Sequence, residues 1–109
     1  MTRPLKYHNI PTVVDGIKFA SKKEAKRWGE LSLLQKAGAI SHLGRQLVYR
    51  LVVNGVEVGE YWADFSYWDF NTGTRVVEDV KSSITRKNAV YRLKKKLMLA
   101  CHGITILET

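Results

Sequence analysis

The chain has 109 residues, 45% of them apolar and 26% charged, with two prolines, one cysteine and a formal net charge of +8. That length holds one hydrophobic core rather than two, and the balance of apolar and charged residues excludes a disordered or fibrous chain. No apolar run approaches the roughly 20 residues of a spanning helix and no secretory stretch opens the chain, so a cytoplasmic setting without a membrane partner is expected. Cys101 has no second cysteine to pair with, in a disulfide or in a zinc site, so stability must come from packing.

The charge is unevenly spread. Residues 1–27 carry seven Lys or Arg against two acids, and residues 82–109 carry six against one. Residues 45–80 reverse the balance, with Glu57, Glu60, Asp64, Asp69, Glu78 and Asp79 against Arg45, Arg50 and Arg75. A basic protein of this kind is expected to meet a polyanion. A pure binding module would gain affinity by losing the central acids, whereas a nuclease needs carboxylates to hold a metal against phosphate.

In chain order, residues 1–12 contain both prolines and show no periodicity, as an irregular basic arm would. Val13-Val14 and Ile17-Lys18-Phe19 flank Asp15-Gly16, a pair that supplies the positive φ angles of a tight hairpin. Ser21 followed by Glu24 fits a helix-starting capping box, and Ala37-Gly38 supplies the stop, so a helix is predicted over about 22–37. Its apolar stripe is Ala25, Trp28, Leu31 and Leu34, and Glu24 precedes it on the inward side. Lys22, Lys23, Lys26 and Arg27 crowd its first turns. Ile40–Leu43 is a short apolar segment, and Gln46–Val53 is strongly β-prone. Asn54-Gly55 turns the chain into a strand over about 56–67, and Asn71-Thr72-Gly73 turns it again into a strand over about 74–81. A second helix over about 88–102 places Val90, Leu93, Leu97 and Ala100 or Cys101 on one side and carries Arg92, Lys94, Lys95 and Lys96. Gly103 ends it, and Ile104–Leu107 reads as a last strand.

Strand alternation puts Asp79 and Lys81 on one face and Glu78 and Val80 on the other. On the preceding strand it puts Trp62, Asp64 and Ser66 together, away from Tyr61, Ala63 and Phe65. Asp64 and Asp79 then meet across the hairpin if the register allows, within about 5–8 Å. Two strand carboxylates at that separation, with phosphate oxygens, suffice for Mg²⁺, and an adjacent lysine can orient water or stabilise charge on phosphorus.

Ala63-Asp64, Asp79-Val80-Lys81 and the helical Glu24 together resemble the PD-(D/E)XK nuclease superfamily, and the chain from about Val13 to Glu108 is similar to small phage-encoded members. Ala63 stands in place of the family's proline, and Glu78 beside Asp79 is an alternative ligand if a bulge flips the strand. The resemblance implies a single α/β domain over 1–109 with a mixed-sheet, restriction-endonuclease-like core. It further implies Asp64, Asp79 and Glu24 as metal ligands, Lys81 as a catalytic residue, Mg²⁺ (or Mn²⁺) as cofactor and DNA as substrate, in phage recombination, repair or packaging inside a bacterial host. Lys22, Lys23, Lys26, Arg92, Lys94 and Lys95 are the expected DNA-backbone contacts. A homodimer is expected because so small a domain covers only part of a duplex. The alternatives are a non-catalytic nucleic-acid-binding accessory module on the same fold and an RNA-directed protein. Gln46 resembles a polar position flanking such active sites. His8, His42 and His102 lack ligand spacing, and Trp28, Trp62 and Trp68 read as core or dimer contacts rather than as base-stacking platforms.

Overall fold

The structure, a computed structural model, describes residues 11–109. The expected basic arm, with His8, lies outside the described residues except at its end, where Thr12 already belongs to the first strand. Strand β1 (Thr12–Val14) and strand β2 (Ile17–Phe19) form the predicted hairpin, with Asp15 and Gly16 at φ 51° and 76°. Helix α1 (Lys22–Lys36) starts where the capping box predicts: Ser21 Oγ accepts the Glu24 N–H at 3.1 Å. Of the predicted stripe, Ala25 and Leu31 are buried, and Trp28 packs between the rings of Phe19 and Phe65 at 6.1 and 6.0 Å. Leu34 is largely exposed, so the stripe ends one turn early.

The two β-prone segments before Asn54 form one strand, β3 (Ile40–Val53), which passes through non-glycine residues of positive φ at His42 and Gln46, both 54°. Irregularities at such points let a strand bend without ending. Strand β4 (Val56–Asp69) returns antiparallel to it, and strand β5 (Thr74–Asp79) pairs antiparallel with β4. A short helix α2 (Ser83–Arg86), which sequence reading passes over, precedes helix α3 (Ala89–His102). Helix α3 is capped by Asn88 and ended by Gly103 at φ 66°, the left-handed stop that glycine favours. Strand β6 (Leu107–Glu108) then pairs parallel to β5. The sheet order β3-β4-β5-β6 makes a mixed α+β architecture with a mostly antiparallel sheet.

The helices cover opposite faces of that sheet. Val76 and Val80 of the β5 segment pack with the α1 cluster, whereas Val77 between them belongs to the α3 cluster. Two expectations are corrected here. Val90 and Leu93 are exposed, and α3 instead buries Tyr91 and Met98 beside Leu97 and Cys101. Both stripes satisfy three-to-four spacing, and the buried one carries the larger side chains together with a hydroxyl that finds a carboxylate, Glu108. On β4, Ala63 and Phe65 do not share surroundings: Tyr61 and Ala63 join the α3 cluster, Phe65 and Tyr67 the α1 cluster. The change of face falls at Asp64, opposite the positive-φ Gln46 between the paired positions Arg45↔Phe65 and Leu47↔Ala63. Simple alternation cannot anticipate a kinked strand.

Candidate active site

The kink places Asp64 beside the end of β5. The last described β4–β5 pair is Phe65↔Glu78, so Asp64 stands one step beyond it, opposite Asp79, as the hairpin reading requires. In place of a sheet bond, the Asp64 N–H donates to Asp79 Oδ1 at 3.0 Å, and the Val80 N–H donates to Asp64 Oδ2 at 2.8 Å. Each aspartate thereby spends one oxygen on the neighbouring backbone. The other oxygen of Asp79, Oδ2, is buried without a hydrogen-bond partner. A buried carboxylate oxygen left bare is costly, and its presence calls for an explanation.

Glu24 enters from α1. Its side chain is buried, its Oε1 accepts from Gln46 Nε2 at 3.3 Å, and its N–H is held by Ser21, so the cap uses its backbone and leaves its carboxylate to the interior. Glu24, Asp64, Lys81, Ser82 and Thr85 line one polar pocket of about 170 Å³. Burial pushes all three carboxyls upward: Glu24 by desolvation and then by the nearby charge of Asp64, Asp64 by desolvation, and Asp79 by desolvation to about 6. Three carboxyls disposed toward protonation in one corner form a site short of positive charge.

Lys81 supplies one cation. Its Nζ lies 3.9 Å from Asp79 Oδ1 and 4.9 Å from the centre of the Tyr91 ring, a cation–π position. The Tyr91 hydroxyl donates to Glu108 Oε2 at 2.5 Å, and Glu108 also pairs with Lys95 at 3.4 Å. The hydrogen bond from Tyr91 holds the Glu108 carboxyl below the usual range. Tyr91 and Glu108 therefore set the floor on which Lys81 rests. Motif reading missed Glu108, which has no spacing signature and comes to the site through the parallel β5–β6 pair. It also missed Arg45, whose charge acts on both Glu24 and Asp64 from a position over the Phe19 ring.

Glu78, the alternative ligand, is committed elsewhere. Both its oxygens accept from Arg27, at 2.8 Å from Nε and 2.7 Å from Nη2, and the Tyr67 hydroxyl donates to it as well. It is fully buried on the α1 side, in a structural role rather than a solvated one.

A family profile described as a protein of unknown function, DUF1064, matches residues 5–102. The chain belongs to this family. No curated protein and no solved structure matches it. The stretch matched to DUF1064 contains Glu24, Asp64, Asp79, Lys81 and Tyr91 and stops short of Glu108.

Among the described residues of this DUF1064 protein, no three His, Cys, Asp or Glu side chains converge closely enough to form a ready-made metal cage. The donors brought together at the strand ends are the two aspartates, with Glu24 across the pocket. Of the expected DNA contacts, Lys23 reaches the edge of the site, donating to the Lys81 carbonyl at 3.2 Å, and it lines a neighbouring recess with Lys26. Lys95 is tied to Glu108, Lys94 lies against β4 at Gly59, and Lys22 and Arg92 are exposed. His42 and His102 are exposed, and His102 Nε2 lies 2.7 Å from the Arg50 carbonyl.

Proposed function

We propose that this protein is a divalent-metal-dependent endonuclease that hydrolyses DNA phosphodiester bonds, on a restriction-endonuclease-like core of the PD-(D/E)XK type. The observation that carries the reading is the bare, buried Oδ2 of Asp79 beside Asp64 and Lys81. An oxygen in that condition fits a hard cation, which would also reverse the upward pressure on the Asp79 and Asp64 carboxyls. Two aspartates suffice for Mg²⁺, which takes one or two carboxylates and completes its shell with water and phosphate. Asp64 and Asp79 would hold the ion, and Glu24 would face its outer waters from across the pocket. The bound ion would supply neutralisation of phosphate charge and a more acidic water.

The remaining work falls to the chain. Backbone N–H groups fix one oxygen of each aspartate, so neither carboxylate needs to reorganise on binding. Tyr91 holds the Lys81 ammonium beside the carboxylates, where it can donate to a non-bridging phosphate oxygen as charge builds. Lys23 and Lys26, which line the adjoining recess, would meet the flanking backbone phosphates.

The test is cleavage. Supercoiled plasmid and branched DNA incubated with Mg²⁺ or Mn²⁺ should be cut by the native chain, and chelator, Asp79→Ala or Lys81→Ala should abolish cutting. Equal inertness of the native protein and both variants on every DNA tried would remove the enzymatic reading. Tighter DNA binding by Asp79→Ala with no cleavage to lose would point to a binding module on the same fold.

A further inference from the structure

The sheet carries a further recess, remote from the carboxylates. Ser41, Trp68 and Arg75 form one row across three strands, since Ser41 pairs with Trp68 and Trp68 with Arg75. Directly opposed residues in antiparallel strands project to the same side, with Cβ atoms about 5 Å apart. The row is extended by His42, displaced where the β3 register shifts, and by Phe70, which follows the end of β4. These five residues line a recess of about 380 Å³, inside the usual range for small-molecule sites.

The chemistry of the lining is specific. Trp68 and Phe70 are 38% and 58% exposed, so both rings offer apolar surface to the recess. Arg75 Nη1 donates to the buried Ser66 Oγ at 2.7 Å, which anchors the guanidinium on the sheet and leaves its other donors available. No acid lines the recess, and the Ser41 hydroxyl and the His42 ring, 2.9 Å apart, add polar groups at its edge. Aromatic faces beside an anchored guanidinium suit a flat ring that carries an anion.

We infer that this recess binds one unpaired nucleotide, its base stacked on Trp68 and Phe70 and its phosphate held by Arg75. The choice of ligand rests on the nucleic-acid reading of the active site. Arg75 and Asp79 share a face of β5 four residues apart, so about 13 Å separates the two places. Val77 between them is buried under the α3 cluster, which makes the recess a distinct subsite. The base must be unpaired, because stacking needs an open base face.

The experiment measures binding in EDTA, so that it does not depend on cleavage. A fluorescein-labelled 12-nucleotide single strand, the same strand with abasic positions, its matched duplex and free thymidine monophosphate as competitor are compared by polarisation. The base-bearing strand should bind more tightly than the abasic one. Trp68→Ala should weaken the base-bearing strand about tenfold and leave the abasic strand unchanged, while Trp68→Phe restores most of the loss. Arg75→Gln should weaken both strands. Displacement at micromolar thymidine monophosphate would assign the subsite to free nucleotides, and resistance to it would assign the subsite to a strand. Equal effects of Trp68→Ala on base-bearing and abasic strands, or tighter Trp68-dependent binding of the duplex, would overturn the inference. Loss of cleavage with Trp68-dependent binding intact would remove the nuclease reading and keep the subsite.

Discussion

Asp64 and Asp79 are clasped to each other through the backbone: Asp79 Oδ1 accepts the Asp64 N–H, and Asp64 Oδ2 accepts the N–H of Val80, the residue after Asp79. The clasp replaces the ladder where β4 changes face, so one pair of side chains closes the kink, and Asp64 of that pair lines the pocket. Fold and candidate chemistry are thus coupled at these two residues.

The clasp has a pH signature. The Asp79 carboxyl sits at about 6 in the folded protein because it is buried, against an ordinary value of 3.8. The folded state binds that proton more tightly than the unfolded state, so stability from this group is present at low pH and is lost as pH rises from about 4 to about 6. A two-unit difference corresponds to a few kcal/mol at most. Asp79→Asn carries no charge at any pH, so its melting temperature relative to the native chain should be about 10 °C higher at pH 8 than at pH 4. The change between the two pH values is the readout, because the buried amide adds a constant cost of its own. A difference independent of pH would contradict the assignment.

Lys81 makes little contribution to folding and much to the proposed chemistry. Its ion pair with Asp79 is long, at 3.9 Å, and its side chain keeps some solvent contact. Lys81→Ala should change stability by no more than about 1 kcal/mol and lower the cleavage rate at least about a hundredfold. A variant that unfolds, or one that cuts at the native rate, would show that the ammonium is structural or idle.

The neighbouring acids should separate cleanly by mutation. Glu78 is buried against Arg27, so Arg27→Met removes the guanidinium that pairs with a buried charge and should destabilise the fold by about 3 kcal/mol. Glu78→Gln should weaken the fold while preserving any rise in melting temperature that Mn²⁺ confers. Asp79→Asn should abolish that rise. Thermal melts of the three variants with and without Mn²⁺ decide the matter, and a metal response that vanishes with Glu78 would exchange the two roles.

Much of this was legible in the residues because local rules are strong where they apply. Asp15-Gly16, Asn54-Gly55 and Gly103 each supply a positive φ that few residues tolerate, and Ser21 with Glu24 marks a helix start by hydrogen-bond chemistry alone. The meeting of Asp64 with Asp79 followed from hairpin register. What escaped depends on tertiary context. The positive φ of Gln46 carries no glycine signal, so the change of face at Asp64 was invisible to alternation. Two apolar stripes on α3 fit one periodicity, and only packing against Leu51, Tyr61 and Val77 selected Tyr91 and Met98 over Val90 and Leu93. Glu108 reaches the site through a two-residue parallel strand that no short motif predicts.

The central claim is that the strand-end aspartates hold a divalent cation, and anomalous diffraction from crystals grown in Mn²⁺ at pH 7.5 addresses it directly. A Mn²⁺ peak is expected between the carboxylates of Asp64 and Asp79, and it should disappear in Asp79→Asn crystals. Saturating Mn²⁺ with no peak there, while the Asp79 Oδ2 remains bare, would contradict it.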